Sequence, residues 1–139
     1  MRFLIIVKAT PDSETGAMPE EKLMMQMADY HEELARAGAL LDASGLLPSS
    51  AGWRIRYNGS ERSVVAGPFA DGDKLVAGYT LIQARSRDEA LEWTRRFPNP
   101  RGEGLPAEIE VRPLFDLDDF PPSNALDRFR ELERRETSA

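Results

Sequence analysis

The sequence predicts an α+β fold in which two helices cover one side of a mostly antiparallel sheet. Three features predict it. Residues 19–37 and 86–97 repeat apolar side chains at helical spacing. Short β-forming runs stand before, between and after these two stretches. Turn dipeptides, Asn58-Gly59, Gly67-Pro68 and Asp71-Gly72, punctuate the middle of the chain, and short connections of that kind join antiparallel neighbours.

Each element has a local reason. Phe3-Leu4-Ile5-Ile6-Val7 is continuously apolar, which suits a strand buried on both faces at the centre of a sheet. Thr10 to Gly16 reads as a polar turn. Pro19 fits the first turn of a helix, where its missing N–H is not needed, and Glu20 and Glu21 complement the positive helix end. Leu23, Met24, Met27, Tyr30, His31 and Leu34 form its stripe, and Gly38 fits the position after the C-cap. Leu40 to Ser44 is a short second strand. Trp53-Arg54-Ile55-Arg56-Tyr57 alternates strictly, with apolar residues on one face and arginines on the other. Asn58-Gly59 then predicts a type I′ hairpin turn, with Arg62 to Ala66 returning and Val76 to Ala84 following as a long strand. Ser86-Arg87-Asp88-Glu89 has capping-box spacing and opens a helix to about Phe97, stopped by Pro98 and Pro100. Its inner residues are Ala90, Trp93, Thr94 and Phe97. Glu108 to Arg112 alternates as a strand, and Pro113 puts it at an edge or at its end. Beyond Phe115 the composition shifts. Ser123 caps a last helix with a narrow apolar edge of Leu126, Phe129 and Leu132. The core order, β-α-β-β-α-β with an added strand, is that of the ferredoxin-like motif.

The totals restrict the function. At 139 residues the chain is one domain able to bury a core without staples. It has no cysteine, so no disulfide framework and no thiolate metal site, as suits a reducing cytoplasm. Its net charge of −6 argues against nucleic-acid binding. No apolar run approaches the roughly 20 residues of a membrane span. There is no glycine-rich phosphate loop and no dinucleotide fingerprint, so no cofactor is expected.

Several residues carry possible chemistry, each beside a plainer reading. His31, the single histidine, would serve as a general base, paired with Asp42. The plainer reading, a packed helix histidine, is preferred. Asp71 and Asp73, with Lys74, would orient or deprotonate a ligand, or else satisfy turn backbone; turn chemistry is preferred. Pro68 and Phe69 fit a pocket wall and a core plug equally well. Arg54, Arg56 and Arg112 would bind an anion, or pair across strands with Glu108 and Glu110; pairing is preferred. Asp116-Leu117-Asp118-Asp119 is read as a solvated linker rather than a metal site.

Ala66-Gly67-Pro68-Phe69-Ala70-Asp71, Gly78-Tyr79, Ser86 to Trp93 and Ile109-Glu110-Val111-Arg112-Pro113 form an ordered set. With Tyr30 to Leu34, Ala37-Gly38 and Gly45 to Ser49, the set resembles the DGPF-type branch of the YCII-related proteins over residues 1–120. The resemblance implies a homodimeric ferredoxin-like α/β barrel in which two sheets face each other, with a cleft between sheet and helices. It implies no single activity. A sister branch includes a dehydrochlorinase with a His–Asp pair, and family genes often lie beside sigma factors. Three positions depart from the family pattern. Ala66 replaces the leading Asp of the motif, Asp71-Gly72-Asp73-Lys74 replaces Glu-Thr-Lys-Glu, and the sister branch's histidine falls near Met27.

The leading expectation is a cytoplasmic homodimer with a domain at 1–120 and a helical tail at 121–139. It would bind a small organic ligand between Met27, Trp53, Pro68, Phe69 and Tyr79, with Asp71, His31 or Arg112 as polar contacts. Two alternatives stand beside it. One is an acid–base lyase or hydrolase with His31 or Asp71 as base. The other is an interaction module for a regulator that uses the tail helix.

Overall fold

The apolar run at the start of the chain becomes the middle of a sheet. The computed structural model describes residues 1–138. In order they form β1 (Arg2–Lys8), α1 (Pro11–Glu14), α2 (Glu21–Arg36), β2 (Leu40–Gly45), β3 (Trp53–Asn58), β4 (Glu61–Ala66), β5 (Val76–Gln83), α3 (Arg87–Arg95), β6 (Ile109–Pro113) and α4 (Asn124–Ser138). Four strands make one antiparallel sheet in the order β2-β5-β1-β6. The units β1-α2-β2 and β5-α3-β6 are therefore interleaved, each enclosing a strand of the other. Pro113 ends an edge strand, where its missing donor is harmless.

Strand alternation then sorts the side chains. Phe3 and Ile5 pair with Ile82 and Thr80 on β5, and Ile5 pairs with Val111 on β6. This face joins Tyr30 and Leu34 of α2 and Ala90 of α3 in the core. Ile5, Leu34 and Ile82 are fully buried, each contributing about 1.5–3 kcal/mol of hydrophobic stabilisation. The opposite face carries Leu4, Ile6, Tyr79 and Leu81, all half-buried. Asp42 and Ser44 flank that row on β2, and Glu110 and Arg112 flank it on β6.

The helix ends follow their cap residues. Gly38 takes φ of 72° after α2, and the N–H groups of Gly38 and Ala39 return to the carbonyls of Ala35 and Leu34. Ser86 Oγ accepts from Glu89 N–H, but the Glu89 carboxylate turns to Arg85 rather than closing a capping box. Ser123 Oγ accepts from Leu126 N–H at the start of α4.

Several local expectations are corrected. Thr10 to Gly16 holds the one-turn α1, because Thr10 and Ser13 cap each other reciprocally and Pro11 stands at its first position. Pro19 lies outside α2, which starts at Glu21 behind an extended Glu20. The hairpin turn is Gly59-Ser60, not Asn58-Gly59. Asn58 still pairs with Glu61, and only Gly59 has positive φ, the type II′ pattern. The hairpin also stays out of the main sheet, forming a two-stranded sheet of its own. Of the apolar edge of α4, Leu126 is buried while Phe129 and Leu132 are exposed. Among the described residues, no helix is long and apolar enough to cross a membrane.

Candidate functional site

The stretch after β4 is held by three segments distant in sequence. Gly67 N–H donates to the Gly52 carbonyl at 3.0 Å. A Cβ at position 67 would stand 1.8 Å from the Ser49 carbonyl oxygen, so only glycine admits this approach. Phe69 N–H donates to Ser49 Oγ at 2.9 Å, and the Ser49 hydroxyl donates to Glu14 Oε2. Ser49 N–H donates to the other Glu14 oxygen at 2.9 Å. The Glu14 carboxylate of α1 therefore anchors the 48–52 turn, and that turn anchors Phe69.

A second clamp acts on the ring. The Arg54 guanidinium of β3 lies 3.8 Å from the centroid of Phe69, within cation–π range. The same guanidinium donates to Asp71 Oδ2. This hydrogen bond, with the positive charge behind it, holds the Asp71 carboxyl below the usual aspartate range.

Phe69 so placed walls an open cleft of about 1020 Å³. Pro68 and Leu75 continue that wall, Pro11 and Glu14 of α1 face it, and Pro100 and Pro106 come from the loop between α3 and β6. Lys8, Lys74, Arg101, Asp73 and Glu108 supply charge around it. Lys8 reaches Glu110 Oε1 at 3.1 Å, and Arg112 reaches Glu110 Oε2 at 3.2 Å. These two cations, Lys8 first, lower the Glu110 carboxyl's affinity for a proton.

The other residues singled out in the sequence are dispersed. Of the six named for ligand contact, Pro68 and Phe69 line the cleft, whereas Met27, Trp53, Tyr79 and Arg112 do not. Asp71 lies just outside the lining, held to Arg54. His31 sits between α2 and the sheet. Its Nδ1 is 2.7 Å from the Met27 carbonyl, which can only accept, so Nδ1 carries the proton. In the neutral ring Nε2 then accepts from the Thr80 hydroxyl at 2.8 Å. Asp42 is not its partner. It accepts from the Tyr79 hydroxyl at 2.8 Å, and Tyr79 alternates with Thr80 onto the other face of β5. Trp53 is exposed on the hairpin. Asp116 and Asp118 face Arg2 and Arg130.

Sequence reasoning missed Glu14, Ser49 and Arg101. The reciprocal Thr10–Ser13 cap with Pro11 was the available signal for α1, and hence for a carboxylate held in place at its end. Ser49 stood out in the sequence only as the last residue of the Gly45 to Ser49 part of the family pattern, which assigns it no contact.

Three comparisons with known proteins bear on this chain. A family model for the YCII-related domain matches residues 1–115. An uncharacterised protein of Rhizobium meliloti strain 1021, R00369, is 32% identical over 95 residues, covering 68% of this chain and 75% of that one. Among solved structures, a 5-chloro-2-hydroxyhydroquinone dehydrochlorinase from Burkholderia phenoliruptrix AC1100, in complex with 2,5-dihydroxybenzoquinone, aligns with a TM-score of 0.43. That alignment has 20% identity and covers 83% of this chain and 94% of the other. The family match spans the whole sheet, both core helices and the Phe69 loop, and the chain belongs to the YCII-related family.

Proposed function

We propose that this chain is a cytoplasmic homodimer of the DGPF-type branch with a ferredoxin-like barrel architecture, and that it binds a small cyclic organic molecule in the Phe69 cleft. One observation carries the reading. An aromatic wall, held through its backbone by Ser49 and through its ring by Arg54, borders a cleft of about 1020 Å³ with charged groups in its lining. Small-molecule sites have this make-up, apolar walls with a few placed polar groups. The homodimer is supported by the half-buried row Leu4, Ile6, Tyr79 and Leu81 on the sheet face away from the helices.

The geometry favours binding over acid–base catalysis. His31 has both ring nitrogens engaged. Asp71 is kept ionised by Arg54, which makes it a weak base. Native mass spectrometry of freshly purified protein tests the reading. A dimer carrying a defined small-molecule mass, lost in Phe69→Ala but kept in His31→Asn, supports it. If neither an adduct nor a mass shift appears against a panel of small aromatic and alicyclic acids and alcohols, the cleft is not a binding site.

A further inference from the structure

The hairpin β3–β4 is built unlike the rest of the chain. Trp53, Ile55 and Tyr57 share a face with their cross-strand partners Ala66, Val64 and Arg62. On that face Trp53 is 66% exposed, Ile55 41%, Tyr57 69% and Val64 71%. No strand of the main sheet pairs with the hairpin. An isolated two-stranded hairpin is marginal in water, and a packed apolar face is what makes such a unit persist. Aromatic side chains offer about 150–250 Å² each. The four exposed residues therefore present roughly half of the ~800 Å² that each partner gives to a standard interface.

Charge identifies the occupant. Residues 53–66 hold Arg54, Arg56 and Arg62 against Glu61, a net charge of +2. The whole chain carries −6, so everything outside the hairpin carries −8. Arg54 is already paired with Asp71 of its own chain, which leaves Arg56 and Arg62 against Glu61, so the arm stays basic beside an acidic body. The complementary surface for it is that same acidic body in another copy. Arg62 stacks on Tyr57, with its guanidinium 4.9 Å from the ring centroid, so the apolar row and the positive charge are presented together.

We infer that β3–β4 is a dimerisation arm whose Trp53-Ile55-Tyr57-Val64 face packs on the acidic body of a second copy. The inference deepens the homodimer part of the function proposed above and rests on it. Sedimentation equilibrium of the full chain at low and high salt tests it, beside the double variant Ile55→Glu/Val64→Glu and the charge reversal Arg56→Glu/Arg62→Glu. The wild type should be a dimer that weakens as salt rises. The double variant should dissociate at least 100-fold more readily. The reversal should weaken the dimer and invert its salt response, because two Arg→Glu changes turn the arm acidic and salt then screens a repulsion. Because the four apolar side chains lie outside the core of the single chain, the helical far-UV circular dichroism of the variants should match the wild type. A wild-type dimer that the double variant leaves unchanged overturns the arm and leaves the homodimer standing. A wild-type monomer at about 100 µM overturns both, while the cleft is read separately by its adduct mass. Should the double variant not fold, hydrogen exchange of the wild type decides. Protection at residues 53–66 that rises with protein concentration supports the arm, and concentration-independent exchange there overturns it.

Discussion

At the scale of single residues, two contacts decide what can be exchanged. A methyl group at position 67 would lie 1.8 Å from a backbone oxygen, which cannot rotate away as a side chain end can. Gly67→Ala should therefore lower stability by about 3 kcal/mol, at the upper end of overpacking effects, as read by urea denaturation. His31 and Thr80 form the second contact. Thr80 is 2% exposed and its hydroxyl relies on the imidazole. A double-mutant cycle of His31→Ala and Thr80→Val should give a coupling of about 1 kcal/mol, with the cleft's ligand mass unaltered in both singles. A histidine acting as the base of a reaction would show instead as lost turnover with little coupling to Thr80.

At the scale of elements, the Phe69 loop is fastened to the hairpin by the Arg54–Asp71 pair, and this fastening depends on pH. The folded chain holds the Asp71 proton affinity below that of the unfolded chain. Its contribution is thus complete above the ordinary aspartate range and is lost as pH falls through the lower folded value. The difference in melting temperature between wild type and Asp71→Asn should favour the wild type near neutrality and vanish in strong acid. A difference that persists in acid would mean the loop is held by something other than this carboxylate. The elements themselves were largely legible in the sequence. The continuous run Phe3–Val7 announced a central strand, and the stripe ending at Leu34 with Gly38 behind it announced α2 and its stop. The turn of the hairpin was misplaced by one residue because Asn58-Gly59 and Gly59-Ser60 both satisfy a glycine requirement, and only pairing register distinguishes them. The site was less legible. Pro68 and Phe69 read equally well as a wall or a core plug, and Met27, Trp53, Tyr79 and Arg112 do not line the cleft those two border. For the strand residues, alternation does not reveal which face a loop will approach. Ser49 and Glu14 became functional candidates only through contacts spanning 20 and 35 positions, a separation no local pattern encodes.

At the scale of the whole molecule, the sheet and its two core helices fall within the family match at residues 1–115, and α4 lies beyond it. Leu126 is nevertheless buried, α4 lies against residues 117–119, and Arg130 bonds Asp118 at 2.8 Å. A chain shortened to residues 1–120 should fold with the same circular dichroism per residue of core, yet lose about 1.5–3 kcal/mol, the worth of one buried leucine, in a urea titration. Equal stability would make the tail a bystander. The knot of Glu14, Ser49 and Gly67 has a further consequence for descent. The three residues come from segments far apart in the chain, yet a methyl at 67 is acceptable only after the backbone at 49 has moved. That move would in turn release the carboxylate at 14. Change here must arrive in concert. A saturation library screened for folded protein should therefore return almost no single replacements at 67, and survivors there should carry second changes within 48–52.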